Sequence, residues 1–197
     1  KTRILDVLSG VTIMNNMDGT TERRHTMAVL VDNEPGVLAR VIGLFSGRGY
    51  NIESLTVSEV DEVQGLSRIT VVTSGTVMVI EQIKAQLARL VPVHDVRDLS
   101  TDGPHLEREL ALIKVRNVGE ARIEALRLAD MFRANAIDST LGSFVFEVTG
   151  SPRKINAFID LMAALGEVEV CRGGVVAIAR GVELDMPMVP AGPDADA

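Results

Sequence analysis

At 197 residues, 46% hydrophobic and 24% charged, the chain reads as packed and globular, with room for one large domain or two small ones. A net charge of −7, no Trp, one Tyr and 3% aromatics supply neither the basic field nor the stacking platforms that nucleic acid needs. No apolar run is long enough for a bilayer, and the lone Cys171 cannot form an internal disulfide, so a reducing, cytoplasmic setting is expected.

Lys1-Thr2-Arg3 ahead of Ile4-Leu5-Asp6-Val7-Leu8 imitates a signal peptide, but Asp6 interrupts the apolar stretch and no small-residue cleavage pattern follows. Residues 1–24 read as a flexible or partner-contacting extension. Met27–Val31 is a continuous apolar run suited to a central buried strand. In Asp32-Asn33-Glu34-Pro35-Gly36, Asn33 or Glu34 can cap a helix, with Pro35 in its first turn. Val37, Leu38, Val41, Ile42 and Phe45 recur at helical spacing, and Gly47-Arg48-Gly49 stops that helix. A strand is expected from Tyr50 to about Val60, and a third through Ile69, Val71 and Val72. A second helix carries Ile80, Ile83, Leu87 and Leu90, and Val91–Leu99 closes the unit. The order β-α-β-β-α-β is that of a ferredoxin-like domain. Its sheet carries helices on one face and, alone, leaves an edge and a face open.

The polar break Ser100–His105 separates this domain, 25–100, from a second over 106–183. There Leu110–Val115 reads as a strand, Glu120–Ala134 as a helix, Ala136–Thr140 and Ser143–Thr149 as strands. Ser151-Pro152 starts a helix, with Ser as cap and Pro in its first turn. Glu167–Arg172 closes the repeat, and Val175–Ala179 adds a strand or extends the last. The tail 184–197, rich in Pro, Asp and Ala, reads as flexible. The fold class is α+β, two tandem ferredoxin-like domains related by a degenerate duplication.

The chemistry points to binding. His25, His94 and His105 lie in or beside expected linkers and strand ends and read as solvated surface histidines, with no metal-ligand spacing. Cys171 has no nearby His and reads as an inert structural thiol. No catalytic residue and no metal ligand is assigned. The better constellation is the turn after the first strand. A helix N-terminus presents unpaired N–H groups to a carboxylate, and Gly36, lacking a Cβ, lets a ligand approach. Asn33 offers both a carbonyl and an amide. With the second strand beside the first, Asn51 and Ile52 come close to this turn, and Val37, Leu38 and Ile52 make an apolar collar for a small branched zwitterion. An ordinary helix cap with core packing fits the same spacing, and spacing alone leaves both readings open. A carboxylate placed at Gly36 is tolerated by the fold only where its φ is negative.

The run Asn33-Glu-Pro-Gly-Val-Leu-Ala-Arg-Val-Ile-Gly-Leu-Phe-Ser-Gly-Arg-Gly-Tyr-Asn-Ile-Glu-Ser-Leu-Thr56 resembles the opening ACT domain of the acetohydroxyacid (acetolactate) synthase small subunits. Leu106–Val115 resembles that family's entry to its second domain, and Gly173–Gly181 its closing strand, so the resemblance covers residues 25–183. It implies a non-catalytic regulatory subunit that activates a catalytic large subunit and confers feedback inhibition by valine in branched-chain amino acid biosynthesis. It also implies that thiamine diphosphate, magnesium and FAD belong to the large subunit, with no cofactor in this chain. In that family the ligand lies between two ACT domains of different chains, which implies a homodimer through the first domain. The implied valine contacts are Asn33, Gly36, Val37, Leu38, Asn51 and Ile52. Where the first domain has Asn-x-x-Gly, the second has Asn117-Val-Gly119-Glu120, so structural support or large-subunit contact is expected of it. The alternative is a free-standing amino-acid-binding ACT regulator of another enzyme. A hydrolase of the acylphosphatase kind shares the fold but needs a phosphate loop with Asn and Arg that is missing here.

Overall fold

The computed structural model describes residues 21–181. The expected tail 184–197, and the expected extension up to residue 20, lie outside them. The first six elements are β1 (Arg23–Asp32), α1 (Val37–Ser46), β2 (Ser54–Asp61), β3 (Leu66–Gly75), α2 (Val77–Leu87) and β4 (Val93–Asp98). After a turn come β5 (His105–Arg116), α3 (Glu120–Phe132), β6 (Asn135–Ser139), β7 (Ser143–Gly150), α4 (Pro152–Ala163) and β8 (Glu167–Ala179). They form two four-stranded antiparallel sheets, ordered β2-β3-β1-β4 and β6-β7-β5-β8.

Alternation along each strand builds the cores. Met27, Val29 and Val31 of β1 meet Ile69 and Val71 of β3 beneath Val41 and Phe45 of α1 and Ile80, Ile83 and Leu87 of α2. In the second domain Ile113 and Val115 join Phe144, Phe146 and Val148 under Ala125 and Ala129 of α3 and Ile155, Phe158 and Met162 of α4. As the sequence indicates, Ser151 caps α4, its hydroxyl accepting from the N–H of Lys154 at 3.4 Å, with Pro152 next.

Several expectations change. The second strand starts at Ser54, not Tyr50, and it pairs with β3, not β1. A tight hairpin makes β2 and β3 neighbours, and β3 also takes the side of β1, so β2 becomes an edge. β1 begins at Arg23, two residues inside the segment read as an extension, and β5 begins at His105, inside the polar break. His25 therefore lies within β1 and is buried, its Nδ1 2.7 Å from Asp98 Oδ2. His94 and His105 are at least partly exposed, and Cys171 is exposed. Leu90 packs on the core from the turn after α2.

The open face of the first sheet is covered by the second domain. β5 and β8 are long, and their paired ends, from His105↔Ala179 to Arg108↔Val176, reach past β7 as a two-stranded arm that continues into Glu109↔Val175. This arm lies across the face of β1, β2 and β3 that carries Ala28. Ala28, Leu99 and Ala177 are buried together there. Thr56 Oγ1 donates to Val175 O at 2.9 Å, the Val175 N–H donates to Ser54 Oγ at 2.8 Å, and Arg68 donates to Ala177 O at 2.7 Å. Gly174 makes the contact possible: a Cβ there would meet Thr56 Cγ2 at 2.7 Å, and its φ is +84°. β1 is thus buried on both faces, which is why its residues read as a continuous apolar run.

Candidate ligand site

The turn from β1 into α1 holds the first half of the expected constellation. Neither Asn33 nor Glu34 caps the helix, and Pro35 precedes it instead of opening it. The N-cap is Gly36, at φ +91° and ψ −8°, with no side-chain capping bond. Pro35 fixes its own φ near −65° and Gly36 turns left-handed, so the helix can begin only at Val37. The N–H groups of Leu38 and Ala39 have no acceptor within the helix and, with no capping side chain, face out of the turn. Asn33 is pinned on both sides, its backbone N–H donating to Gly65 O at 2.6 Å and its Nδ2 to Glu59 Oε1 at 2.9 Å. Val37 points into the core, whereas Leu38 is 38% exposed beside the turn.

Asn51 and Ile52 lie in the loop from α1 to β2. Asn51 O accepts from Thr73 Oγ1 at 2.6 Å and the Glu53 N–H donates to Val72 O at 2.8 Å, fixing the loop against β3. Ile52 leans on the core, and the Asn51 side chain is exposed. Strand register puts this loop at the wrong end for the expected cluster. Asp32 and Asp61 both oppose Leu66 at one end of the sheet, while Ser54 opposes Val72 and Arg23 opposes Gly75 at the other. The ten residues of α1 separate the halves by ~15 Å. Within one protomer Asn51 and Ile52 are therefore not beside Asn33 and Gly36, and the collar of Val37, Leu38 and Ile52 does not form. Both halves border β2, the edge strand, at its opposite ends.

Residues 27–95 match the family described as AHAS small subunit-like ACT domain, and residues 108–181 match Small subunit of acetolactate synthase. The Probable acetolactate synthase small subunit of Archaeoglobus fulgidus is 48% identical over 158 residues, 80% of this chain and 98% of that one. The chain belongs to the acetolactate synthase small-subunit family. The isozyme 3 small subunit of Escherichia coli is 45% identical over 159 residues, covering 80% of this chain and 96% of that protein. The solved acetolactate synthase small subunit of Thermotoga maritima superposes with a TM-score of 0.73 at 39% identity, covering 82% and 99% of the two chains.

In this small-subunit chain, polar residues that the sequence did not single out surround both halves. Glu59 adds a carboxylate beside Asn33, visible only once the β2–β3 register is known. At the other end Glu53 accepts from the Ser74 hydroxyl and pairs with Arg24 at 3.7 Å. Arg24 in turn holds Glu107 of the arm at 2.9 Å, and the Thr26 hydroxyl donates to the same carboxylate. Burial pushes the Glu107 carboxyl up, but the Thr26 hydroxyl and the Arg24 guanidinium outweigh it and hold the group below the usual carboxylate value. Nearby, the Glu109 carboxylate grips Arg172 through two bonds of 2.6 Å and holds that guanidinium above its ordinary value. Among the described residues no group of His, Cys, Asp and Glu could hold a metal ion, and no helix is long and apolar enough to cross a membrane.

Proposed function

We propose that this chain is the regulatory, non-catalytic subunit of an acetolactate synthase. It activates a catalytic large subunit, which carries thiamine diphosphate, magnesium and FAD, and imposes valine feedback on branched-chain amino acid synthesis. The observation that carries this reading is the placement of the two half-sites at opposite ends of one exposed edge strand. A two-fold axis through the middle of β2 would pair it antiparallel with its copy, joining two sheets and protecting the edge. The same axis inverts the strand direction, so the Asn33–Gly36 turn of one protomer meets the Asn51–Ile52 loop of the other.

The assembled chemistry suits a branched α-amino acid. The free N–H groups of Leu38 and Ala39 receive the carboxylate at the positive end of α1. The side-chain carbonyl of Asn51 accepts from the ammonium, and the carboxylate of Glu59 favours positive charge at the same place. Leu38 and Ile52, brought together only across the axis, offer apolar contact, and Val37 supports the turn from the core. The test is acetolactate formation by the purified large subunit with and without this chain and valine. Faster turnover with the chain, suppressed by valine, is expected; unchanged turnover, or synthesis by the chain alone, refutes the reading.

A further inference from the structure

Between the first domain and the start of α4 runs a cleft of about 830 Å³ with an apolar floor of Leu55, Val72 and Val175. Its charged lining falls into two groups. Glu107 and Glu109 are two residues apart on β5, so their side chains leave one face of the strand ~7 Å apart. Each holds a different guanidinium, Glu107 that of Arg24 and Glu109 that of Arg172. The two ion pairs mark two ends of the cleft, and charge is out of balance at both.

At the first end two carboxylates share one guanidinium. Arg24 grips Glu107 at 2.9 Å, whereas Glu53 Oε2 stands 3.7 Å from Arg24 Nε, beyond hydrogen-bond range. The Ser74 hydroxyl donates to Glu53 Oε1, and Oε2 has no hydrogen bond among the described residues. His105, 3.5 Å from Glu107, adds positive charge only when protonated. With His105 neutral, this end carries one excess negative charge. At the second end Glu109 neutralises Arg172, and Arg172 Nη1 donates to Asn156 Oδ1 at 2.9 Å, leaving the Asn156 Nδ2 donors free. Arg153, three residues before Asn156 on the same face of α4, also lines the cleft. Its guanidinium makes no ion pair or hydrogen bond among the described residues, so this end carries one excess positive charge.

We propose that this cleft binds an ω-amino acid, an unbranched aliphatic chain with a carboxylate at one end and an ammonium at the other. Arg153 and the Asn156 amide receive the carboxylate, and Glu53 Oε2 accepts from the ammonium. The methylenes lie along Leu55, Val72 and Val175. Such a ligand neutralises both ends without breaking either existing ion pair, which a molecule with a single charge cannot do. Valine carries its ammonium and carboxylate on one carbon and cannot reach both ends, so this site is separate from the one in the first domain.

The full chain, titrated with 6-aminohexanoate, should show amide shifts at Ser54, Arg153 and Gly174. Hexanoate and hexylamine, with one charge each, should bind at least tenfold more weakly. Arg153→Gln and Glu53→Gln should each weaken 6-aminohexanoate at least tenfold. Arg153→Gln should leave hexylamine binding unchanged and Glu53→Gln should leave hexanoate binding unchanged, which assigns each charge to its end. Absence of shifts at the cleft, equal affinity for the singly charged probes, or undiminished 6-aminohexanoate binding in either variant overturns the proposal. None of these outcomes depends on whether valine binds the first domain.

Discussion

If valine sits across the two-fold axis, damage to the two half-sites should be complementable between chains. Asn33→Ala and Asn51→Ala each remove a side chain at one end of β2, and the ends are ~15 Å apart along α1 within a protomer. Loss of one hydrogen bond to a charged group costs ~1.5–3 kcal/mol, so Asn51→Ala should weaken valine by roughly ten- to a hundredfold. In a mixed dimer of the two single variants, both damaged halves fall in one site and the other site is intact. Random exchange makes about half of the dimers mixed, so about a quarter of all sites should recover wild-type affinity. Calorimetric titration of the mixture reads that fraction directly. A double variant mixed with wild type is the control: its mixed dimers carry one damaged half in every site, so exchange should lower the high-affinity fraction from about a half to about a quarter instead of raising it from zero. No recovered high-affinity fraction after verified subunit exchange would refute the shared site.

Gly36→Ala should destabilise the chain by ~1–2 kcal/mol, measured by urea unfolding, because φ is +91° while nothing lies within 4 Å of the added Cβ. The condition for tolerating Asp at this position, a negative φ, is not met, so Gly36→Asp would combine charge with backbone strain. Gly174→Ala should cost more, at least ~2 kcal/mol, since it adds a clash with Thr56 Cγ2 at 2.7 Å to a φ of +84°. Thr56→Ser removes that methyl, keeps the hydroxyl bonded to Val175 O, and should recover part of the loss in a double-mutant cycle. For Glu107 the folded pKa is depressed, so its stabilisation is complete above the unfolded value of ~4.3 and fades as pH falls through the lower folded value. The stability gap between wild type and Glu107→Gln should therefore be constant near neutrality and close in acid; a gap independent of pH would contradict the assignment.

The periodicities carried the architecture well because each core residue reports its own element. Ile80, Ile83 and Leu87 mark one face of α2, and Phe144, Phe146 and Val148 mark one face of β7. What the sequence concealed depends on pairing between distant segments. Nothing in Tyr50–Val60 says that β3, and not β1, lies beside it, and that one choice moves Asn51 to the far end of the sheet. The cap was misread because Asn, Glu and Pro are all good helix-start residues, and only the left-handed Gly36 decides where the helix begins. Burial of His25 was invisible because Arg23–Thr26 is polar, and its place in β1 follows from pairing with Thr73 and from the Asp98 partner. The Asn51 and Asn33 motifs were legible as motifs; that one protomer cannot join them was not.

The contacts around the Asn51 loop also rank the routes by which movement there could reach the second domain. One runs through Glu53 and Arg24 to Glu107. Its first link is an ion pair of 3.7 Å between groups 36% and 38% exposed, worth no more than ~1 kcal/mol. Its last link is tighter, since Glu107 is 13% exposed and is held by Arg24 at 2.9 Å and by the Thr26 hydroxyl. A displaced loop would part the chain at Glu53 and leave Arg24 on the arm. The second route is shorter and stiffer. Ile52 is followed, after Glu53, by Ser54, whose hydroxyl accepts from the Val175 N–H at 2.8 Å, and Thr56 donates to Val175 O at 2.9 Å. Gly174 closes on Thr56 without room for a Cβ, so β2 cannot slide along β8 without breaking both bonds. Movement of the loop along the β2 axis therefore reaches β8 through the main chain of Val175, and the ion pairs follow it.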